Sequence, residues 1–489
     1  MKALVSLAIP ILLFFVAALL SPMVVVAQNG EEQTSHIDTA WVSEIPVVEL
    51  TYDAARFNSD SFIPAKFTLY KADSISTYTC SVRQRGGTSL VYDKPNYAVK
   101  FYDEAGQKLD VRLLDMRKDN HWILDGMAMD HSKMRNRVSM DVWLASSRPP
   151  YHQELEPKAI NGYRGRYVEV YANGDYMGVF CLMERVDRKQ LKLKKYGINE
   201  DDGTPYLRGV LYKAINGKQT RTPYFYWNAN EPDDASSYYD GVQGEYPDVH
   251  EGEPWSWQPL RKNIYFLCGY TGTYFSNNIG KRYDLPVFID FVLFLDLLYA
   301  YDNVGKNYMC WFYDFNSGDL RLGVTPWDLD ATWGLSVTGT RIAADTELSN
   351  KTNFNTRMSQ HYRSYADTLA VRYAALRDSL WTETALCGYF DRYFDLLDHT
   401  GAWQRDQRRW ENYYCKVRDM EPEQQFIHQW IHDRLAFLDK AYGYVPPQAI
   451  SRVPTDPSPQ SSPCYDLFGR RLASPRGLVI REGKITIER

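Results

Sequence analysis

Beyond its N-terminal leader, this 489-residue chain has no long apolar run. No later segment approaches the ~18 uninterrupted apolar residues of a membrane-spanning helix, so the body of the chain is not expected to cross a bilayer. Cysteine is sparse. The seven residues, Cys80, Cys181, Cys268, Cys310, Cys387, Cys415 and Cys464, include no CxxC pair. That pattern argues against a zinc ribbon, a dithiol redox motif and a disulfide-stapled scaffold. Mostly buried free thiols are expected, with one or two bridges permitted in an oxidising space. Neither sign of charge dominates, and a net charge of -5 gives no case for a nucleic-acid partner. No G-x-S-x-G elbow or Cys–His nucleophile pattern occurs.

What is present begins with an export signal. Met1 and Lys2 form a minimal positive region before the apolar run LVSLAIPILLFFVAALL, and Val25 and Ala27 occupy the small-residue cleavage positions before Gln28. An uncleaved anchor is the alternative, because the run is long enough to span. Pro10, Pro22 and the cleavage pattern favour removal. Residues 1–27 are therefore expected to be a signal peptide and 28–45 a polar lead-in. Aromatic residues make up 15% of the chain, with 37 Tyr and 13 Trp, which suits a wet extracellular surface.

From about residue 46 to 130 short runs such as FTLYKA, TCSVRQ, YAVKFYD and HWILDGMA predict strands. HSKMRNRVSMDVWLASS predicts a helix. Asn173-Gly174 lies between two alternating runs and predicts a hairpin. The polar, aromatic stretch at about 200–260 predicts an insertion of loops without regular structure. From residue 284 helical periodicity dominates, interrupted by the strand pair NYMCWFYDF and DLRLGVTPWDL. A β-rich first half followed by a helical second half is α+β. The body spans 46–445. A Pro/Ser linker covers 446–463, and 464–489 predicts a small C-terminal β unit.

Four features carry chemistry. Asp302 and Asn307 have the D-x4-N spacing by which one short loop holds both a proton acceptor and a metal ligand. Asp328 and Asp330, in TPWDLDATWG, face one side if the segment is extended. Two such carboxylates repel unless a cation lies between them, and magnesium prefers few carboxylates plus phosphates. The alternative is an exposed acidic turn, against which the flanking Trp327, Leu329 and Trp333 speak. Arg85, Gly86, Gly87, Thr88 and Ser89 predict a turn that offers N–H groups and hydroxyls to phosphate, with Lys94 or Lys100 as a point charge beside it. Glu184 ends a strand, either near a nucleotide base or as a surface charge. His428 and His432 share a helix face, but without an HExxH pattern they predict helix packing.

Together these segments resemble the spore coat protein H (CotH) kinase family over roughly residues 46–440. The resemblance rests on RGGTS…KPNYAVKF, the stretch Asp130–Asn136, YVEVYANGDYMGVFCLMERVD, Leu211–Lys213, Asp302–Asn307 and Pro326–Gly334. It implies an atypical two-lobed kinase fold that uses ATP and Mg2+ or Mn2+ to phosphorylate protein Ser/Thr hydroxyls. Asp302 would be the general base, and Asn307, Asp328 and Asp330 the metal ligands. Lys100, more than Lys94, would contact phosphate. Asp141, not a Glu, stands on the early helix where the ordinary kinase pattern pairs a lysine. The C-terminal unit resembles tails of the YDLxGRR…GLYIxxGKK type on exported proteins of Bacteroidetes-like bacteria, through Tyr465, Asp466, Leu467, Gly469, Arg470, Arg471, Gly477, Ile480 and Gly483. A small accessory hairpin is the plain alternative. The expected partner is a protein substrate at the cell surface or in the secretory route; the alternative function is a catalytically silent surface adhesion or coat protein.

Overall fold

The structure, a computed structural model, describes residues 44–215, 233–239, 241–248, 251–348, 352–413 and 419–446, with the backbone of four short strands between 464 and 488. The leader, the lead-in up to residue 43 and the linker from 447 lie outside the described residues. Among the described residues no helix is long and apolar enough to cross a membrane.

Seven strands close into a barrel. They are β1 (Val47–Tyr52), β2 (Ile63–Lys71), β3 (Ser74–Arg85), β4 (Asn96–Phe101), β5 (His121–Asp125), β6 (Gly165–Ala172) and β7 (Asp175–Met183). Their order is β1-β2-β3-β4-β5-β7-β6. The closing pair, β1 with β6, is parallel and aligns Val47 with Glu169. Alternation fills the interior: Val82, Tyr97, Val99, Trp122, Leu124, Phe180 and Leu182 pack inside. The strands β6 and β7 meet at the expected Asn173-Gly174 turn, where both residues have positive φ.

The outer face of the barrel is not a plain solvent face. Ile123, Tyr167, Cys181 and Met183 point outward and join a second, larger core. Helix α1 (Arg135–Ser146) lies in that core, with Trp143 against Phe291 and Phe294. Those two rings belong to α3 (Leu285–Leu298), which is apolar almost all round and buried accordingly. Around it stand α2 (Gln258–Gly269), α4 (Asn353–His361), α5 (Tyr365–Arg377), α6 (Glu383–His399), α7 (Ala402–Trp410) and α8 (Met420–Tyr442). The segregated strands and helices make the chain α+β, as the sequence pattern implies.

A second sheet completes the fold. Its strands are β8 (Val210–Ala214), β9 (Tyr238–Tyr239), β10 (Val242–Tyr246), β11 (Tyr308–Phe312) and β12 (Gly323–Pro326), in the order β9-β10-β8-β11-β12. This corrects the expectation of irregular loops over 200–260. β8 and β10 are strands, and α2 begins at Gln258. Turn-forming residues surround them, but pairing with β11, nearly a hundred positions later, supplies the order that local composition lacks. The C-terminal strands Cys464–Tyr465, Arg471–Leu472, Gly477–Arg481 and Lys484–Glu488 form a separate four-stranded sheet. Cys80, Cys181, Cys268, Cys310 and Cys387 are free thiols, the first, second and fourth of them buried. Cys415 and the Cys464 side chain lie outside the described residues.

Candidate active site

Strand register gathers the candidate residues. β11 and β12 pair until Tyr308 meets Pro326, and β8 pairs with β11 until Ala214 meets Tyr308. Asn307 and Trp327 therefore emerge side by side, and their backbones hydrogen-bond at 3.0 Å, with Asn307 also bonded to Ala214. The buried amide of Asn303 donates to the carbonyls of Asn307 (2.9 Å) and Trp327 (2.8 Å), tying the two loops together. Asn307 and Asp328 both sit in the left-handed region, at φ 59°. Asn and Asp tolerate that conformation better than most residues, and such strain concentrates at functional sites. The Asp328 segment is thus a left-handed turn rather than the extended piece the sequence suggests.

The D-x4-N loop closes on itself. Asn307 Nδ2 donates to Asp302 Oδ2 at 2.8 Å, and Lys306 Nζ lies 3.1 Å from the same oxygen. The amide nitrogen is engaged, which leaves the Asn307 amide oxygen free to face a cation. Asp328 is exposed and Asp330 half-buried, while Trp327, Leu329 and Trp333 are buried beneath them. Neither carboxylate accepts a hydrogen bond or joins an ion pair among the described residues. Burial, and then the charges of Asp328, Asp125, Asp130 and Asp302, drive the Asp330 carboxyl well above the usual carboxylate range.

This donor set fits a hard divalent ion. Two carboxylates without a hydrogen-bond or ion-pair partner among the described residues lie on the segment that Asn303 ties to Asn307, and burial together with the neighbouring negative charges leaves Asp330 in need of a cation. Among the described residues no three His, Cys, Asp or Glu side chains converge as a closed cage. Magnesium does not need one, because it retains waters and takes phosphate oxygens.

Facing these carboxylates is the outer face of the barrel. Arg85 ends β3, and its guanidinium lies 5.9 Å from the Trp327 ring, where the charges of Asp125 and Asp328 act on it. Lys213 on β8 approaches the same ring, also at 5.9 Å. Burial pushes the Lys213 ammonium down, opposed by Glu245 and Asp328. Neither cation makes a side-chain hydrogen bond among the described residues. Asn136, on α1, fastens the ensemble by donating to Asp125 (3.0 Å) and accepting from Tyr163 (2.7 Å) and the Leu329 backbone (3.1 Å). Beneath it Asp130 caps α1 through the Met134 and Arg135 N–H groups and pairs with buried Arg135. Asp125, Asn136 and Lys213 were not singled out as site residues from sequence, although all three lie in or beside the short motifs quoted above.

The remaining candidates separate. Gly86, Gly87 and Thr88 are exposed and Ser89 half-buried in the expected turn after Arg85. A Cβ on Gly86, at φ 140°, would lie 2.1 Å from the Ser89 hydroxyl. Lys100 shares the outward barrel face but lies over Phe62 (4.4 Å), among Arg185, Lys108 and Arg83, and not beside the carboxylates. Lys94 is fully buried against Asp406 and is structural. Glu184 is buried and turned away, accepting from the Arg117 and Arg164 backbones, the Arg164 guanidinium and Gln190. Its neighbour Arg185 lies on the side of Arg85 and Lys213, on which its charge acts, and contacts His121 at 2.7 Å. Asp141 pairs with Arg137 and Arg392, with no lysine. His428 and His432 bond Asp391 and Glu383 across α6 and α8, as helix packing requires.

The profile of a family described as "CotH kinase protein" matches residues 82–438, well over half of the chain. The chain is also similar to the inner spore coat protein H of Bacillus subtilis (strain 168). They are 23% identical over 272 residues, covering 54% of this chain and 61% of that protein. The chain therefore spans about three-fifths of that curated relative's length.

Proposed function

Because the chain belongs to the CotH kinase protein family, we propose that it is an exported atypical kinase that transfers the γ-phosphoryl group of ATP to protein Ser/Thr hydroxyls. The observation that supports this reading is the Asp302–Asn307 loop, fastened to itself and, through the Asn303 amide, to the backbone of the segment that carries Asp328 and Asp330. In this reading the barrel is the nucleotide-side lobe and the helices with the second sheet are the other. Asp302 orients the acceptor hydroxyl and takes its proton. Asn307, Asp328 and Asp330 hold a divalent metal, Mg2+ or Mn2+, which when bound neutralises charge on the phosphates. Arg85 and Lys213 supply fixed positive charge from the barrel side, and the Gly86–Ser89 turn offers donors to phosphate. Asn136 acts as a positioning residue, holding Asp125 and the Leu329 backbone in one frame. Secretion through the N-terminal signal, with surface attachment through the C-terminal unit, gives the reaction its setting.

The purified chain is to be incubated with labelled ATP, Mg2+ or Mn2+ and acceptor proteins, beside Asp302→Ala and Asp328→Ala/Asp330→Ala. Transfer confined to the parent chain supports the reading; equal transfer by the variants refutes it. A second reading is a silent surface or coat module. It is favoured by the name of the Bacillus relative and by the exposed Tyr265, Tyr270 and Tyr274. No nucleotide-dependent thermal shift with either metal would favour it.

A further inference from the structure

A cavity of about 620 Å³ lies between the 112–118 segment, the Pro157–Ile160 loop and the 188–192 turn. Its Arg164 and Gln190 hydrogen-bond Glu184, whereas Arg185, the next residue, lies on the side of Arg85 and Lys213, on which its charge acts. Eight cationic side chains line it and no acidic one does, in a chain whose net charge is negative. Three of the eight are anchored from behind: Arg117 by Asp119 and Asp187, Arg164 by Glu184, and Lys189 by Asp110 and Asp119. The other five, Arg112, Lys118, Lys158, Arg188 and Lys192, have no acidic partner among the described residues. Arg112 donates to the Met116 carbonyl and Arg188 to the Leu193 carbonyl, so both are held without being neutralised.

Unneutralised cations gathered in a concavity repel one another and are relieved by an anion. Four of the eight are arginines, whose planar forks match phosphoryl oxygens two at a time. No aromatic side chain lines the cavity, so it offers no stacking platform to a nucleobase. A concave recess also excludes a flat membrane surface, while Pro157, Ala159 and Ile160 give an apolar wall for a peptide chain.

We propose that this cavity is a docking site for a phosphorylated side chain of a protein partner, separate from the phosphotransfer cleft. A phosphoserine enters between Arg112, Arg188 and the three unpaired lysines, with anchored Arg117 and Arg164 as its floor. The site does not depend on transfer activity. A chain that transfers no phosphate still binds here, and a chain that transfers phosphate without binding here leaves the kinase reading intact.

The test uses fluorescence anisotropy of labelled Ser and phosphoserine peptides of one sequence with the full chain, without ATP or metal. The phosphopeptide is expected to bind roughly tenfold or more tightly than its unphosphorylated twin, with affinity falling as salt rises. Inorganic phosphate is expected to compete. Lys118→Gln/Lys158→Gln/Lys192→Asn is expected to lose most of the preference. Lys118 and Lys158 are exposed, and Asn tolerates the left-handed backbone of residue 192. Equal affinity of the two peptides for the parent chain overturns the proposal whatever the variant does. Tighter binding to phosphatidylserine vesicles than to the phosphopeptide also overturns it, and so does full phosphopeptide preference in the triple variant.

Discussion

Removing the Lys94 side chain tests both the fold and the assignment of lysines. Its ammonium is wholly buried, 2.6 Å from Asp406 and 2.7 Å from the Val179 carbonyl, with the Phe180 ring at 4.8 Å. Asp406 Oδ1 also accepts from the Val179 N–H at 2.8 Å, and its Oδ2 is buried without a hydrogen-bond partner. Lys94→Met leaves that carboxylate without its cation and removes the tie from the segment before β4 to α7 and β7. Breaking one member of a buried pair costs about 3–5 kcal/mol. Lys94→Met/Asp406→Leu removes both charges and is expected to recover most of that loss, so the two single changes are strongly non-additive. Urea unfolding followed by tryptophan fluorescence reads this as a lowered midpoint at unchanged slope. A loss below about 1 kcal/mol refutes the buried-pair reasoning. If Lys94→Met instead unfolds like the parent but loses its ATP-dependent thermal shift, Lys94 is a phosphate contact and its structural assignment is wrong.

Asp302→Ala is expected to lower phosphoryl transfer by roughly 10²–10⁴-fold while keeping the nucleotide-dependent thermal shift, measured by single-turnover transfer of label. Lys213→Met is expected to weaken ATP binding by about tenfold or more, and Lys100→Met by much less; isothermal titration that ranks them the other way returns the phosphate role to Lys100. Burial raises the Asp284 carboxyl to about 6, so between roughly pH 4 and 6 the folded chain holds a proton that the unfolded chain has released. Stability therefore falls as pH rises through that window, by about 3 kcal/mol for this group, and Asp284→Asn is expected to flatten the slope in urea titrations at several pH values. Gly178→Ala is expected to lower the melting temperature, because φ is +94° and the new Cβ would lie 2.1 Å from Asp406 Oδ1; an unchanged melting point contradicts this packing.

What was legible in the sequence was local. Asn173-Gly174 demands positive φ at both positions, and only a tight hairpin uses that. Asp302 and Asn307 interact within one loop, so their spacing alone conveys the geometry. Trp327, Leu329 and Trp333 predicted a buried setting for the acidic pair; those three are buried, but Asp328 is exposed and Asp330 half-buried, because the left-handed turn at Asp328 points away from the apolar side chains. Barrel closure was not legible, since Val47 pairs with Glu169 through a parallel ladder that leaves no short-range signal. The two lysines show the same limit. Lys94 and Lys100 flank one segment, but the partner that buries Lys94 stands 312 positions away. Lys213 was hidden because the strand that aims it is stabilised by β11 rather than by its own surroundings.

Barrel closure has a consequence for how copies of this chain associate. A closed sheet has no unpaired backbone row, so the barrel offers no template for strand addition. The five-stranded sheet has two edges, but one is the two-residue β9 and the other, β12, is four residues long and ends at Pro326. Both are too short to nucleate a ribbon between molecules. The C-terminal sheet differs, because its last strand, Lys484–Glu488, is a five-residue edge. If the chain builds into a coat or matrix, the described residues of the body offer side-chain faces for joining, and among the described strands backbone-to-backbone addition falls to the C-terminal sheet.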